Sequence, residues 1–287
     1  MLREIRHAIS NLRPSEVRDA ADKPLSVGLV ASSSAGYRAI EDFLAPPDQI
    51  SRERRAEVLS VTHRAGDPDI PEHFDLVLYE YLIPGPKNAY AFFPDDPAGT
   101  VKQILAGCNE LGLPLARHFL PFRRPVVKEI LYSVSKENAL FALATALPNV
   151  VPNLIELPWA VGEFASDTAF LTMNQIRMAF MLAAASDAPN GYRDQKAELV
   201  SIVTGAFGFR AIARELVGKI PFGGGLIPKA AVAFAGTYVV GLSLERYYRV
   251  GYGLTREERR REYEVALTHG RSVAELLLAG IKKVDAA

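Results

Sequence analysis

Short apolar runs alternate with stretches of helical spacing along the first 135 residues. Leu2, Ile5, Ile9 and Leu12 recur three and four apart until Pro14, which predicts a short amphipathic helix over residues 2–12. Behind Pro24 comes a brief apolar run from Leu25 to Ala31. Small residues follow from Ser32 to Gly36, and helical spacing returns from Tyr37 to Leu44, so the segment reads as strand, loop, helix. β-branched and aromatic positions predict further strands over 57–62 and 74–82, with Gly66, Pro68 and Pro71 as the breaks between them. Asp95, Asp96 and Pro97 open a helix reaching to Leu111, and Pro114 to Leu120 reads as a fourth, buried strand. Strands alternating with helices over 25–135 predict an α/β layer with a mainly parallel sheet.

The pattern changes at Glu137. From there through Gln175 no Lys or Arg occurs, and Ala, Leu, Val, Phe and Pro dominate. Pro148, Pro152 and Pro158 break this tract into helical pieces, because proline lacks the amide donor and clashes inside a helix. Further helices are predicted over 168–186, ended by a turn at 187–191, then over 192–205, 206–218 and 228–248. Thr255 and Glu258 have capping-box spacing and open a long amphipathic final helix. The expected fold class is therefore α/β followed by all-α. A sheet domain covers 1–135, a hydrophobic helical domain covers 136–287, and a separable boundary falls near 133–137.

Pro221 to Leu244 carries one charge, Lys229, over nearly the length that crosses a bilayer. Pro221, Gly223, Gly224, Gly225 and Pro228 interrupt it and leave Ala230 to Leu244 as the clean apolar stretch, short for a span. Ala233, Thr237 and Gly241 fall four apart and form one face of small residues, which lets another helix approach closely. The favoured expectation is a packed helix covered by Thr172 to Leu182; bilayer insertion is the alternative.

Composition narrows the classes. With 287 residues, 49% apolar and 23% charged, the chain has the make-up of a folded protein with room for two cores. Lys plus Arg equals Asp plus Glu at 33 each, so no global positive field favours nucleic acid. A single cysteine, Cys108, excludes a disulfide framework within the chain and any CxxC site. Charges in Met1 to His7 leave no readable secretory h-region, so a cytoplasmic location is expected.

Candidate chemistry centres on Ala31 to Arg38, which stands where a phosphate-binding loop stands between strand and helix. A working loop needs Gly, four residues, Gly, Lys and Ser or Thr, so that backbone amides cradle phosphate, Lys reaches its outer oxygens and the hydroxyl binds magnesium. Gly36 is kept, Ala31 replaces the first glycine, Tyr37 the Lys and Arg38 the hydroxyl. Ser32, Ser33, Ser34, Gly36 and Arg38 are the candidate anion-binding residues of a degenerate loop; a mere connector is the competing reading. No Asn-Lys-x-Asp, Gly-x-Ser-x-Gly, His-Glu-x-x-His or Gly-x-Gly-x-x-Gly string occurs, and the five histidines have no ligand spacing. No catalytic residue, metal ligand or cofactor is assigned. Arg123 with Arg124 and Arg259 to Arg261 are the densest basic spots, and the glutamates around the latter mark a solvated helix face.

Thr172-Met-Asn-Gln175-Ile176-Arg177, Ala211-Ile-Ala-Arg214-Glu215-Leu216, Ile220-Pro221-Phe-Gly-Gly224 and Ala235-Gly-Thr237 through Gly241, with Tyr247-Tyr248, follow one another over roughly 138–250. This set resembles a bacterial helical domain found in YcjF-type inner-membrane proteins and at the C-terminus of some Era-like GTPases. The resemblance implies association with a membrane surface or with a protein partner such as a GTPase, peripheral or integral at the inner membrane, and no known chemistry. It makes the first half a degenerate, pseudo-GTPase-like domain. The expected function is non-enzymatic interaction; the alternative is a nucleotide-binding protein with slow or partner-assisted GTP hydrolysis.

Overall fold

The computed structural model describes residues 14–68, 70–145, 167–204 and 225–284. The expected helix over 2–12, residues 146–166 of the proline-broken tract, the helix over 206–218 and the turn from Pro221 to Gly224 lie outside them. The contacts divide the chain into two compact units. One takes Arg18–Val127 with Ala184–Asp187 and holds the sheet; the described residues of the other are mainly helical.

The sheet unit contains β1 (Val27–Val30), β2 (Thr62–Arg64), β3 (Leu76–Glu80) and β4 (Tyr90–Phe92) in the order β2-β1-β3-β4, and every pairing is parallel. The register sets Val27 opposite Leu76 and Leu29 opposite Leu78, so both central strands bring buried aliphatic residues side by side. Helices α2 (Ser34–Leu44), α3 (Arg52–Leu59), α4 (Pro97–Gly107) and α5 (Gly112–His118) belong to this unit, after an opening helix α1 (Pro14–Ala21). Ile40, Leu44, Ile104 and Leu115 are fully buried in this unit, and the Phe43 ring meets that of Phe92 at a tilt, 4.9 Å between centres. An α/β layer with a parallel sheet is thus what the alternating runs encode.

Two expected strands are largely helical. Residues 57–59 close α3 and 60–61 turn out of it; Ser51 caps the helix by accepting from Arg54 N at 3.2 Å and the run Arg52-Glu-Arg-Arg-Ala-Glu is rich in helix formers. The strand begins only at Thr62. Pro114 to Leu120 folds as α5 and the start of the next helix, since a proline in the first turn loses no helical hydrogen bond. Strand β4 falls between the strand expected over 74–82 and the helix expected from Asp95, where no element was assigned.

Helix α6 (Leu120–Ala144) carries the chain from one unit to the other, with the division at Val127/Lys128. The anticipated boundary at 135/136, and the separable segment at 133–137, fall inside this continuous helix, where Val134 and Ser135 are fully buried. The helical unit continues with α7 (Asp167–Ala185), α8 (Lys196–Thr204), α9 (Leu226–Val250) and α10 (Arg256–Val284). Of the expected helix over 192–205, α8 accounts for the second part.

Helix α9 is the centre of that unit. Ala230, Phe234, Val273 and Ala274 form one buried cluster with Ala139 and Leu143; Ala235, Val239, Tyr263 and Ala266 form another. On the opposite side, a Cβ on Gly241 would collide with Leu131 of α6 and meet Met178 Sδ of α7 at 2.9 Å. The small-residue face of Ala233, Thr237 and Gly241 is therefore covered by α6 as well as by α7, where Thr172 to Leu182 alone was expected.

Candidate functional site

In the order β2-β1-β3-β4 the chain leaves β1 for one neighbour and returns to the other, so the connections diverge at the carboxyl ends of β1 and β3. In open parallel sheets that divergence opens the crevice in which ligands bind. Ser32 to Gly36 follow β1 there, and Glu80 ends β3.

Three donors of the loop are engaged: Ser32 N, Ser32 Oγ and Gly36 N. Ser32 donates its backbone N–H to Glu80 Oε2 at 2.9 Å and its hydroxyl to the same oxygen at 2.7 Å. Ser33 is the N-cap of α2, and its Oγ accepts from Gly36 N at 3.1 Å. A Cβ at Gly36 would lie 2.8 Å from Glu80 Oε2 and 3.0 Å from Ala31 Cβ, so glycine is what lets the carboxylate rest against the first turn of the helix. Two hydrogen bonds to its charged form, first from the Ser32 amide and then from the Ser32 hydroxyl, hold the Glu80 carboxyl below the ordinary carboxylate range. A helix N-terminus favours negative charge, and here the chain supplies that charge itself.

The remaining candidates do not join this contact. Helix α2 begins at Ser34, so Gly36 belongs to its first turn instead of to a loop wrapped around an anion. Ser34 and Arg38 are exposed, and Arg38 makes no ion pair among the described residues. Tyr37, in the position of the phosphate-loop lysine, lies under the Arg64 guanidinium at 5.3 Å from the ring centre, while Arg64 pairs with Glu41 at 2.6 Å. Sequence reasoning brought Ser32, Ser33 and Gly36 together but missed Glu80, whose only local signal is an acidic residue closing an apolar strand, Leu76 to Glu80. Asp96-Pro-Ala-Gly99 has the Asp-x-x-Gly spacing of GTPases, yet Asp96 caps α4 by accepting from Gly99 N at 2.9 Å.

In the helical unit, the quoted residues of the resemblance that are described here serve packing. Asn138 of α6 donates to Thr237 Oγ1 at 2.7 Å, Asn174 of α7 donates to Asn138 Oδ1 at 2.9 Å, and Arg177 meets both oxygens of Glu137 at 3.1 and 3.3 Å. This seam ties three helices through polar groups that burial would otherwise leave costly. Arg214, Glu215, Pro221 and Gly224 lie outside the described residues. Cys108 caps the end of α4, and its Sγ lies 3.3 Å from the Tyr90 hydroxyl. That contact, followed by desolvation, pushes the phenol up to about 12. Among the described residues no group of His, Cys, Asp and Glu has metal-binding geometry. No family model, no curated protein and no solved structure matches the chain.

Proposed function

We propose that this is a non-enzymatic interaction protein, in which a pseudo-GTPase-like sheet unit accompanies a helical unit that meets a membrane surface or a protein partner such as a GTPase. The observation that carries the reading is the Glu80 carboxylate seated on Ser32 and against Gly36. A phosphate at the same place needs those donors and would face a like charge in van der Waals contact, which is unfavourable in the site where phosphoryl transfer needs clamped positive charge. Tyr37 beneath Arg64 supports the same conclusion, since the position that normally supplies a lysine holds a stacked ring.

Helix α9, Leu226–Val250, is long and apolar enough to cross a membrane, and it is the described helix with that property. Its coverage by α6, α7 and α10 supports a packed helix, with peripheral attachment on the cytoplasmic side as the reading that follows. Isothermal titration of the full chain with GTP, GDP and ATP in the presence of Mg²⁺ tests the pseudo-site: no binding heat is expected for any of them. Saturable binding that disappears when Gly36 is changed to Val would establish the alternative, a nucleotide-binding protein with slow or assisted hydrolysis.

A further inference from the structure

At the end of the helical unit where α9 turns into α10, three apolar side chains stand out in six residues: Tyr247 at 38% exposure, Val250 at 42% and Tyr252 at 59%. Single exposed apolar residues, such as Val265 and Leu276 on α10, are ordinary on a protein surface; a cluster is not. The cluster is also held in place. Gly251 takes the left-handed conformation, φ +83°, and its N–H reaches Tyr247 O at 2.8 Å. Leu254 N donates to Ser243 Oγ at 3.1 Å, and the Arg246 guanidinium lies 5.0 Å from the Tyr252 ring centre while pairing with Glu258 at 2.6 Å. A turn fastened from both helices, carrying aromatic and branched side chains outward, has already lost the entropy that docking usually costs.

The charge around it has one sign in excess. From Glu245 to Glu262 there are six arginines against four glutamates. Arg249 at 62% side-chain exposure and Arg261 at 74% reach into solvent while pairing at the surface with Glu245 at 2.9 Å and Glu262 at 3.7 Å, pairs that a phosphate can replace, and Arg256 makes no ion pair among the described residues. The other cluster of exposed apolar residues, Tyr81, Leu82 and Phe93 in the sheet unit, has Glu80, Asp95 and Asp96 beside it in the chain, the wrong sign for the same partner. Tyrosines settle at the headgroup level of bilayers, and arginines extend past them to lipid phosphates.

We infer that the turn between α9 and α10 is a docking tip for an anionic lipid surface, entered by Tyr247, Val250 and Tyr252 and anchored by Arg249, Arg256 and Arg261. This rests on the reading of the chain as an interaction protein and names the surface used. The full-length protein is sedimented with vesicles of phosphatidylcholine mixed with phosphatidylglycerol, and with vesicles of phosphatidylcholine alone, at low and high salt. Binding is expected to the mixed vesicles and to fade at high salt. The pair Val250→Ser with Tyr252→Ser should weaken it by about tenfold, and Arg249→Gln or Arg256→Gln by about fivefold each. The contacts these side chains make, Tyr252 with Arg246 and Arg249 with Glu245, lie at the surface, so melting midpoints should fall by no more than a few degrees, and Val250→Ser alone, which removes neither contact, should weaken vesicle binding without moving the midpoint. Equal binding by unaltered and tip-altered proteins, or no binding to mixed vesicles, overturns the inference. So does retention of a single-stranded RNA oligonucleotide, without vesicle binding, that the arginine variants lose. None of these outcomes alters the nucleotide titration, so failure of the tip and failure of the proposed function are told apart.

Discussion

Thr237 shows how much one hydroxyl organises. It is buried, accepts from Asn138 at 2.7 Å and donates to the Ala233 carbonyl one turn back at 2.9 Å. Replacing it by Leu adds volume against α6 and leaves the Asn138 amide only its long 3.5 Å contact with the Leu171 carbonyl. The first effect costs about 1–3 kcal/mol and the second about 1–3 kcal/mol, so Thr237→Leu should unfold at clearly lower urea than the unaltered protein. Thr237→Val keeps the shape and should show only the second cost; urea midpoints for the two variants, each compared with the unaltered protein, separate them. Equal stability in all three proteins would mean that α6 does not press on this face. The small-residue spacing that marks Thr237 was visible in the sequence because it repeats within one helix. Its partner Asn138, 99 residues away, was not. The same limit hid Glu80 from Ser32: the loop is a local pattern, whereas the pairing of β1 with β3 that delivers the carboxylate is set by the whole sheet.

At the scale of elements, caps were the most legible features. The Thr255 and Glu258 pair forms the reciprocal capping box its spacing predicted, Thr255 N donating to Glu258 Oε2 at 2.8 Å and Glu258 N to Thr255 Oγ1 at 3.3 Å. Glu258 also accepts from Arg246, and that bond first, then those from Thr255, hold its carboxyl at about 2 against an ordinary 4.5. A depressed folded-state value stabilises the fold above the unfolded value and is lost on acidification. The contribution of Glu258 should therefore be complete above pH 4.5 and vanish as the pH falls through about 2. Carboxyl-carbon NMR of the folded protein should place its midpoint near 2, and Arg246→Met should move that midpoint up toward 4.5; an unmoved midpoint removes the ion pair from the account. Strands were less legible than caps. Residues 57–62 and 114–120 have apolar runs short enough for either helix or strand, and the outcome was decided by Ser51 and by the position of Pro114, not by periodicity. Strand β4 is three residues long, too short to carry a pattern of its own.

For the whole molecule, the question raised by α9 is whether its apolar length faces lipid or protein. Every residue from Ala230 to Leu244 is buried or half-buried, and the seam of Glu137, Asn138, Asn174, Arg177 and Thr237 places polar groups on the helices that enclose it. Helix α10 packs along α9 as the other arm of a hairpin, with Gly270 so near Ala231 that a Cβ there would lie 2.9 Å from the Ala231 carbonyl oxygen. If α9 crossed a bilayer in this fold, α10 would cross beside it and carry Glu264, Arg271 and Glu275 to membrane depth, where a charged residue costs about 2.5–3.5 kcal/mol on insertion scales. Three such residues outweigh what the 15 uncharged positions from Ala230 to Leu244 return, because those positions are already withdrawn from water by their neighbours. Membranes from cells expressing the full chain should accordingly release it when washed with alkaline carbonate, which strips peripheral proteins and leaves spanning ones. The released protein should show the helical far-ultraviolet spectrum of the intact bundle once returned to neutral pH. Retention after carbonate, with release only by detergent, would require α9 to part from α10 and enter the bilayer; cysteine pairs placed at positions 231 and 270 would then fail to crosslink in the membrane-bound form.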